Sequence, residues 1–432
     1  MKTYYLESLG CAKNLVDSEI FAGILERAGL KQVAEPEDAD LVLVNTCSFL
    51  EASLQELDLV LCELSEIKQA VPGQKLAVTG CVMNRGLAEF QDLFPEVDQW
   101  IGLKDFSALE KWLNLEHREN PGRVTVLGGF HRYLRISDGC GNCCSFCTIP
   151  SIRGTLRSVP MEDLVREAES LAADSESPAL ELIVIAQDTA NYGMDIYGRR
   201  ALPELLEKLH AIPQFRWIRV MYMHPDHFDP AWLPLWNKLP KLLPYFEIPI
   251  QHSEDRILTA MNRKLGKQEL RELFTSIRSE IPHAVLRTTL ISGFPGETDR
   301  DADALLRFAQ EVPFLHLGVF QFSPDEGTPA CEMEAQVPDE LAESRQDELL
   351  AFQRERMTEM LEQIVGSTVE VLIEDLPDDD EEGLFSGRAW FQAPEIDGLA
   401  FVRGEGLAPG QIRRVIIEDV IESDLFGSAI ND

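Results

Sequence analysis

Positive charge is scarce in this sequence. Its 432 residues carry 39 Lys and Arg against 74 Asp and Glu, a formal net charge of −35. A chain that grips nucleic acid concentrates Lys and Arg to neutralise phosphates, so direct nucleic-acid binding is not expected. A surface this acidic attracts a basic partner instead. Long apolar runs are missing too. Stretches such as LVLVNTCSFL (41–50) fall short of the ~20 residues a membrane helix needs. Glu7 stands where a signal peptide would carry its apolar stretch. Membrane and secreted classes are set aside, and a cytoplasmic location is expected. No Gly-rich phosphate loop or dinucleotide fingerprint supports ATP or NAD dependence.

What is present suits a folded protein of about three domains: 45% of residues are hydrophobic and 26% charged. Residues 1–115 alternate short apolar runs (KTYYLES, LVLVNTC, KLAVTGC, VDQWIG) with amphipathic stretches. That alternation predicts a doubly wound α/β domain with a parallel sheet. Residues 116–130, containing PGRVTVLGG, read as a linker. A second series over 131–338 offers RYLRISDG, ELIVIAQD, WIRVMYMHP, YFEIPIQH, VLRTTLISGF and LGVFQFSP, most followed by a helical pattern. Six β/α units predict a partial barrel, since a full one needs eight. Residues 339–365 form a charged helical connector. Over 366–432 the pattern changes to alternating strands broken by Gly and Pro, which predicts a small antiparallel β-barrel. That segment has 16 acidic residues against Arg388, Arg403, Arg413 and Arg414, and its run DDDEE (378–382) reads as a solvated loop.

The nine cysteines cannot all pair, and without an export signal they read as metal ligands or core thiols. In SDGCGNCCSFCTIP (137–150), thiolates at Cys140, Cys144 and Cys147 fall at i, i+4 and i+7 on a tight loop. Such a set can hold three irons of a [4Fe–4S] cube and leave the fourth open. The other spacing, Cys140, Cys143 and Cys147, misplaces the aromatic Phe146. A zinc site would bring in a second, distant Cys pair, and none exists. Cys11, Cys47 and Cys81 each follow a strand-like run (LESLGC, LVNTC, AVTGC). The carboxyl ends of parallel strands share one edge, where ligands bind, so these three thiols can converge as a second cluster site. Cys62 and Cys331 read as structural.

Cys140-x-x-x-Cys144-x-Phe146-Cys147 at the head of a β/α series resembles the radical S-adenosylmethionine superfamily. With SLGCAKNLVDSE (8–19), the NTC and TGC triplets, and GQIRRVIIEDVIESDLFGSAI (410–430), which matches the closing strands of an OB-like TRAM barrel, the whole chain resembles the methylthiotransferases. IAQDTANYG (185–193) and SPDEGTPA (323–330) are similar to the branch that modifies an aspartate of ribosomal protein S-twelve. The alternative branch acts on tRNA adenosine beside the anticodon.

The resemblance implies two [4Fe–4S] clusters, on Cys140, Cys144 and Cys147 and on Cys11, Cys47 and Cys81. It also implies S-adenosylmethionine as cofactor, an electron donor, and a basic ribosomal protein as partner. In the implied reaction a 5′-deoxyadenosyl radical takes hydrogen from the aspartate β-carbon, and a methylated sulfur from the second cluster couples there. Gln187 and Asp188, at a strand's carboxyl end, and Gly293 and Glu297, in the turn GFPGET (293–298), are the expected cofactor contacts. Gln251, His224 and His252 occupy similar rim positions, where the histidines read as satisfied structural residues.

Overall fold

The structure, a computed structural model, describes all residues except 49–50, 86, 120, 126–127, 174–177, 377–382 and 431–432, and leaves out the side chains of 51 and 52. Its first sheet has five strands: β1 (Thr3–Ser8), β2 (Lys31–Gln32), β3 (Leu41–Thr46), β4 (Lys75–Gly80) and β5 (Gln99–Trp100). They are ordered β2-β1-β3-β4-β5, with every pairing parallel. β3 is buried at all six positions, as an inner strand covered on both faces must be. Its alternate residues face opposite ways. Val42 and Val44 pack on Leu57, Leu61 and Leu64 of α2 (Glu51–Ala70), while Leu41 and Leu43 pack on Phe21, Ile24 and Leu25 of α1 (Ala12–Arg27). The strand order reverses between β1 and β3, the crevice where doubly wound sheets bind ligands.

Six further parallel strands follow as two three-stranded halves. One is ordered β10-β9-β6, from β6 (His131–Arg135), β9 (Glu181–Ile185) and β10 (Trp217–Val220). The other is β11-β12-β13, from β11 (Tyr245–Glu247), β12 (Val285–Ser292) and β13 (His316–Gln321). A parallel bridge between Ile218 and Leu242 links the halves. The expected six units are therefore present as an open barrel. Helices cover its outside with apolar stripes, as in Leu202–His210, where Leu202, Leu205, Leu206 and Leu209 are buried at i, i+3, i+4 and i+7. A short antiparallel ribbon, β7 (Ser137–Asp138) with β8 (Arg157–Ser158), brackets the cysteine loop.

The last strands are β14 (Thr368–Asp375), β15 (Leu384–Ala389), β16 (Ala400–Arg403), β17 (Ile412–Ile421) and β18 (Asp424–Ala429). They close a barrel in the order β14-β15-β16-β18-β17. Four pairings are antiparallel as the sequence predicts, and β16 with β18 is parallel. The expected acidic loop at 378–382 lies outside the described residues. The helix Asp339–Glu362 runs back along β13 and ties to its neighbourhood through Gln353 Nε2, which donates to the Leu315 carbonyl at 2.8 Å.

The terminal barrel meets the open barrel at the amino ends of its strands. Arg388 of β15 is 2.9 Å from Glu181, the first residue of β9, and 2.8 Å from Glu374. Arg219 donates to Glu181 at 2.7 Å and to the Trp390 carbonyl at 2.9 Å. Tyr245, the first residue of β11, donates its hydroxyl to Asp397 at 2.9 Å. The carboxyl ends, where barrel-like folds carry their chemistry, face the other way. Among the described residues no helix is long and apolar enough to cross a membrane.

Candidate active site

Cys11, Cys47 and Cys81 follow β1, β3 and β4, and Asn14 fixes their spacing. Fully buried, Asn14 donates through Nδ2 to the carbonyls of Leu9 (3.0 Å) and Thr46 (2.7 Å), stapling the ends of β1 and β3. Its Oδ1 lies 3.7 Å from Cys81 Sγ. Asn45 completes the lattice by donating to the Asn14 carbonyl at 2.8 Å and to Ser18 Oγ at 2.9 Å. Two glycines make the approach possible. A Cβ on Gly10 (φ +93°) would sit 2.5 Å from Cys47 Cβ, and one on Gly80 (φ +104°) would sit 2.4 Å from the Thr46 backbone. The three thiols sense one another: burial pushes Cys81 up to about 11, with Cys47 and Cys11 adding to the rise against Arg153. Burial also acts to raise Cys11, but Lys13, the Asn14 N–H and Arg153 outweigh it and the thiol is lowered.

The second group is built by the loop after β7. The Cys140 N–H donates to the Gly154 carbonyl (3.0 Å), and that of Cys147 to Cys144 (3.1 Å). Ser145 is tied at both ends, its N–H and hydroxyl to the carbonyls of Met261 and Ala260, its carbonyl to the Ala330 N–H. Phe146 packs on a cluster of Ile257, Met261, Ile291, Phe294 and Ala330. Cys140, Cys144 and Cys147 are half-buried, whereas Cys143 is exposed. Burial pushes Cys140 up to about 11 and Cys147 to about 12, and it raises Cys144. Cys62 is exposed on α2, and Cys331 Sγ donates to the Pro324 carbonyl at 3.2 Å.

Arg153 joins the two groups. It ends the short helix Ile149–Arg153 that begins two residues after Cys147, and its side chain is 2% exposed. The guanidinium donates to Asn14 Oδ1, to Asp17 at 3.2 Å and to Asp138 at 3.2 Å, and lies 3.7 Å from Cys81 Sγ. Arg135 of β6 pairs with Asp17 at 2.5 Å, and Lys104 pairs with Asp138. Burial alone would raise the Asp138 carboxyl, but Arg135, Lys104 and Arg153 hold it well below the usual range. Asn84 Nδ2 donates to the Ile152 carbonyl at 2.7 Å, and Arg85 reaches Asp325 at 2.7 Å. None of these polar residues was singled out individually in the sequence. The legible signal was the motif holding Lys13, Asn14 and Asp17.

Of the expected cofactor contacts, Gln187 and Asp188 flank the Cys140 loop. Gln187 Nε2 donates to Asp138 at 3.2 Å, and its buried Oε1 has no partner among the described residues. Asp188 accepts from Asn142 Nδ2 (3.0 Å) and the His224 N–H (3.3 Å), with His227 Nδ1 at 2.6 Å. Gly293 and Glu297 form a second unit. The Glu297 carboxylate accepts from the Gly293 N–H at 3.1 Å and pairs with Arg345 at 2.9 Å. The histidines are satisfied on one side only. His224 and His252 each accept a backbone N–H at Nδ1, while among the described residues neither buried Nε2 has a hydrogen bond, that of His252 lying 3.5 Å from Glu297. Gln251 and Tyr222 adopt φ +69° and +60° at strand ends, conformations rare for large residues and concentrated at functional rims.

The donor sets fit iron–sulfur clusters. All nine cysteines are free thiols. Among the described residues, Asp188, His224 and His227 are the set of His, Cys, Asp and Glu whose ligand atoms fall within 4.8 Å of one another. Among the described residues no three cysteine sulfurs lie within 4.8 Å of one another, as three ligands of one tetrahedral ion with ~2.3 Å Zn–S bonds would. Iron bound there would take the place of the proton that burial favours on Cys140 and Cys147.

Comparison with known proteins agrees. Residues 3–102 match the Uncharacterized protein family UPF0004, residues 134–309 the Radical SAM superfamily, and residues 365–430 the TRAM domain. The ribosomal protein uS12 methylthiotransferase RimO of Thermotoga maritima is 40% identical, covering 98% of this chain and 99% of that one. Its Clostridioides difficile counterpart is 39% identical over 98% of each. Among solved structures, the radical S-adenosylmethionine methyltransferase TsrM of Kitasatospora setae superposes with a TM-score of 0.55 at 14% identity, covering 89% of this chain and 81% of that one; it shares the fold. The chain belongs to the RimO family of radical S-adenosylmethionine methylthiotransferases.

Proposed function

We propose that this transferase installs a methylthio group on the β-carbon of an aspartate of ribosomal protein uS12, with one [4Fe–4S] cluster on Cys140, Cys144 and Cys147 and another on Cys11, Cys47 and Cys81. The observation that carries this reading is Arg153, which touches the second group from the helix that follows the first. When bound, the clusters and S-adenosylmethionine supply one-electron cleavage of a sulfonium and a transferable sulfur.

The chain's own residues bind, orient and exclude water. Asn14, Gly10 and Gly80 set the spacing of one thiol group. Asp188, with Asn142 and His227, orients the loop of the other. Gln187 Oε1 offers an unpaired acceptor beside that loop, and Glu297 steadies the turn at Gly293 through Arg345. Phe146 and its apolar cluster keep water from that side. Two half-sites that face one another supply much of the selectivity through proximity.

The acidic terminal barrel supports a protein substrate over tRNA, because tRNA affinity depends on neutralising phosphates and Arg388, one of its four basic residues, is buried in the Glu181 network. The test is uS12 deuterated at aspartate β-carbons. Deuterium appearing in 5′-deoxyadenosine supports hydrogen abstraction there, and its complete retention in the protein contradicts it.

A further inference from the structure

We infer that Lys13 is the group that receives the carboxylate of the side chain being modified. The inference rests on the reading of an aspartate substrate given above. Lys13 is 8% exposed and two residues beyond Cys11, yet its ammonium crosses to the open barrel and rests 3.3 Å from the centroid of the Tyr222 ring. It therefore stands between Cys11 and the carboxyl-end rim of the open barrel, where the Tyr222 carbonyl accepts from the Thr189 N–H at 3.0 Å, one residue past Asp188. Tyr222 holds the ring there through the left-handed backbone already noted, its N–H donating to Glu247 at 3.0 Å.

Every carboxylate around this ammonium is engaged elsewhere. Asp17 pairs with Arg135 and Arg153, and Asp138 with Lys104 and Arg153. Glu247 accepts from Tyr222 and lies 3.9 Å from Arg287. The three other cations of this junction, Arg135, Arg153 and Lys104, are matched by those same acids. Lys13 alone of the four has no carboxylate within 4 Å among the described residues. A buried ammonium that faces a ring and the Cys11 thiol, with no carboxylate against it, is incompletely compensated, and an incoming carboxylate completes it with a charge-assisted hydrogen bond. An amide of the same shape cannot, because it brings no charge. Lys13 thus selects an acidic side chain over its neutral isostere, at the position where the chemistry needs the adjacent carbon.

Affinity measurements separate this role from a structural one. The reconstituted enzyme is titrated with uS12 and with uS12 whose target aspartate is changed to asparagine, using wild type, Lys13→Gln and Lys13→Arg. Wild type is expected to favour aspartate by about tenfold or more, the scale of one tenfold step per 1.4 kcal/mol. Lys13→Gln should bring the ratio close to one, and Lys13→Arg should recover part of it. Iron content reports whether each variant keeps its site. If Lys13→Gln loses iron, Tyr222→Leu decides, because it removes the shelf and leaves the residues beside Cys11 intact: a ratio lowered severalfold supports the inference. An undiminished aspartate preference in an iron-replete Lys13→Gln, or in Tyr222→Leu where that variant decides, overturns it and leaves the uS12 reading standing. If wild type does not distinguish the two proteins, the inference fails as well. If wild type binds neither, the substrate reading itself fails.

Discussion

Asn14 carries more of the site than any cysteine does. Its amide joins two strand ends and meets Arg153 from the other half of the molecule, so Asn14→Ala leaves two buried carbonyls unpaired. At 1–3 kcal/mol for each unsatisfied group, the expected loss is ~2–6 kcal/mol in denaturant unfolding, together with reduced iron in the Cys11, Cys47 and Cys81 site. A loss under about 0.5 kcal/mol with full iron would show that the staple is dispensable. Cys47→Ala should lower bound iron by about half, spare S-adenosylmethionine cleavage and abolish methylthiolation. Thiolation surviving in that variant would remove this residue from the second site. At this scale the sequence showed the thiols, since cysteine spacing is a local signal. It did not show Arg153 or Arg135, whose meaning depends on Asp17 more than a hundred residues away, nor Asp138, whose partners Lys104 and Arg153 come from other elements. His224 and His252 illustrate the same limit: pattern places them on the rim, but only packing reveals that the His224 Nε2 is buried without a hydrogen bond among the described residues and that the His252 Nε2 faces Glu297.

Between elements, the junction of β9, β10 and β15 is an ion network. Burial would raise Glu181, but Arg219 and Arg388 outweigh it and lower its carboxyl from 4.5 to about 2. A group lowered in this way adds stability that is complete above about pH 4.5 and disappears as pH falls towards 2. Burial, with Arg388, likewise lowers the neighbouring His131 from 6.5 to about 4, so its stabilising share fades between those pH values. Chemical denaturation from pH 7 to 3 should show stability falling in both windows. Glu181→Gln should weaken the lower one and cost ~3 kcal/mol at pH 7, since it leaves Arg219 buried without its carboxylate. A pH profile identical to wild type would contradict that account. The strands of this junction were legible from hydrophobic alternation. Their division into two halves was not, because a break in pairing near Val220 leaves no mark in composition. The parallel pairing of β16 with β18 was equally hidden, since alternation reports burial and not direction.

For the molecule as a whole, charge is the feature that reaches beyond its surface. A net charge of −35 should steer a basic ribosomal protein, which raises the association rate more than it slows dissociation. Stopped-flow association with uS12 should slow by about tenfold between roughly 50 and 300 mM salt. Reversing Glu418 and Asp419 to Lys on β17 should slow association with little change in dissociation. Rates insensitive to salt would assign recognition to short-range contacts alone. Net charge is read from composition with no structure at all, whereas the burial of Arg388, which deepens the acidity of the terminal barrel, required the fold.

On this reading two cysteine groups at one junction act on a protein and not on tRNA. Its most direct test is one anaerobic incubation of the reconstituted enzyme with uS12 and unfractionated tRNA together, followed by mass spectrometry of both. The expected result is a methylthio increment on a uS12 aspartate and none on tRNA. An increment on tRNA adenosine, with uS12 unchanged, would contradict it.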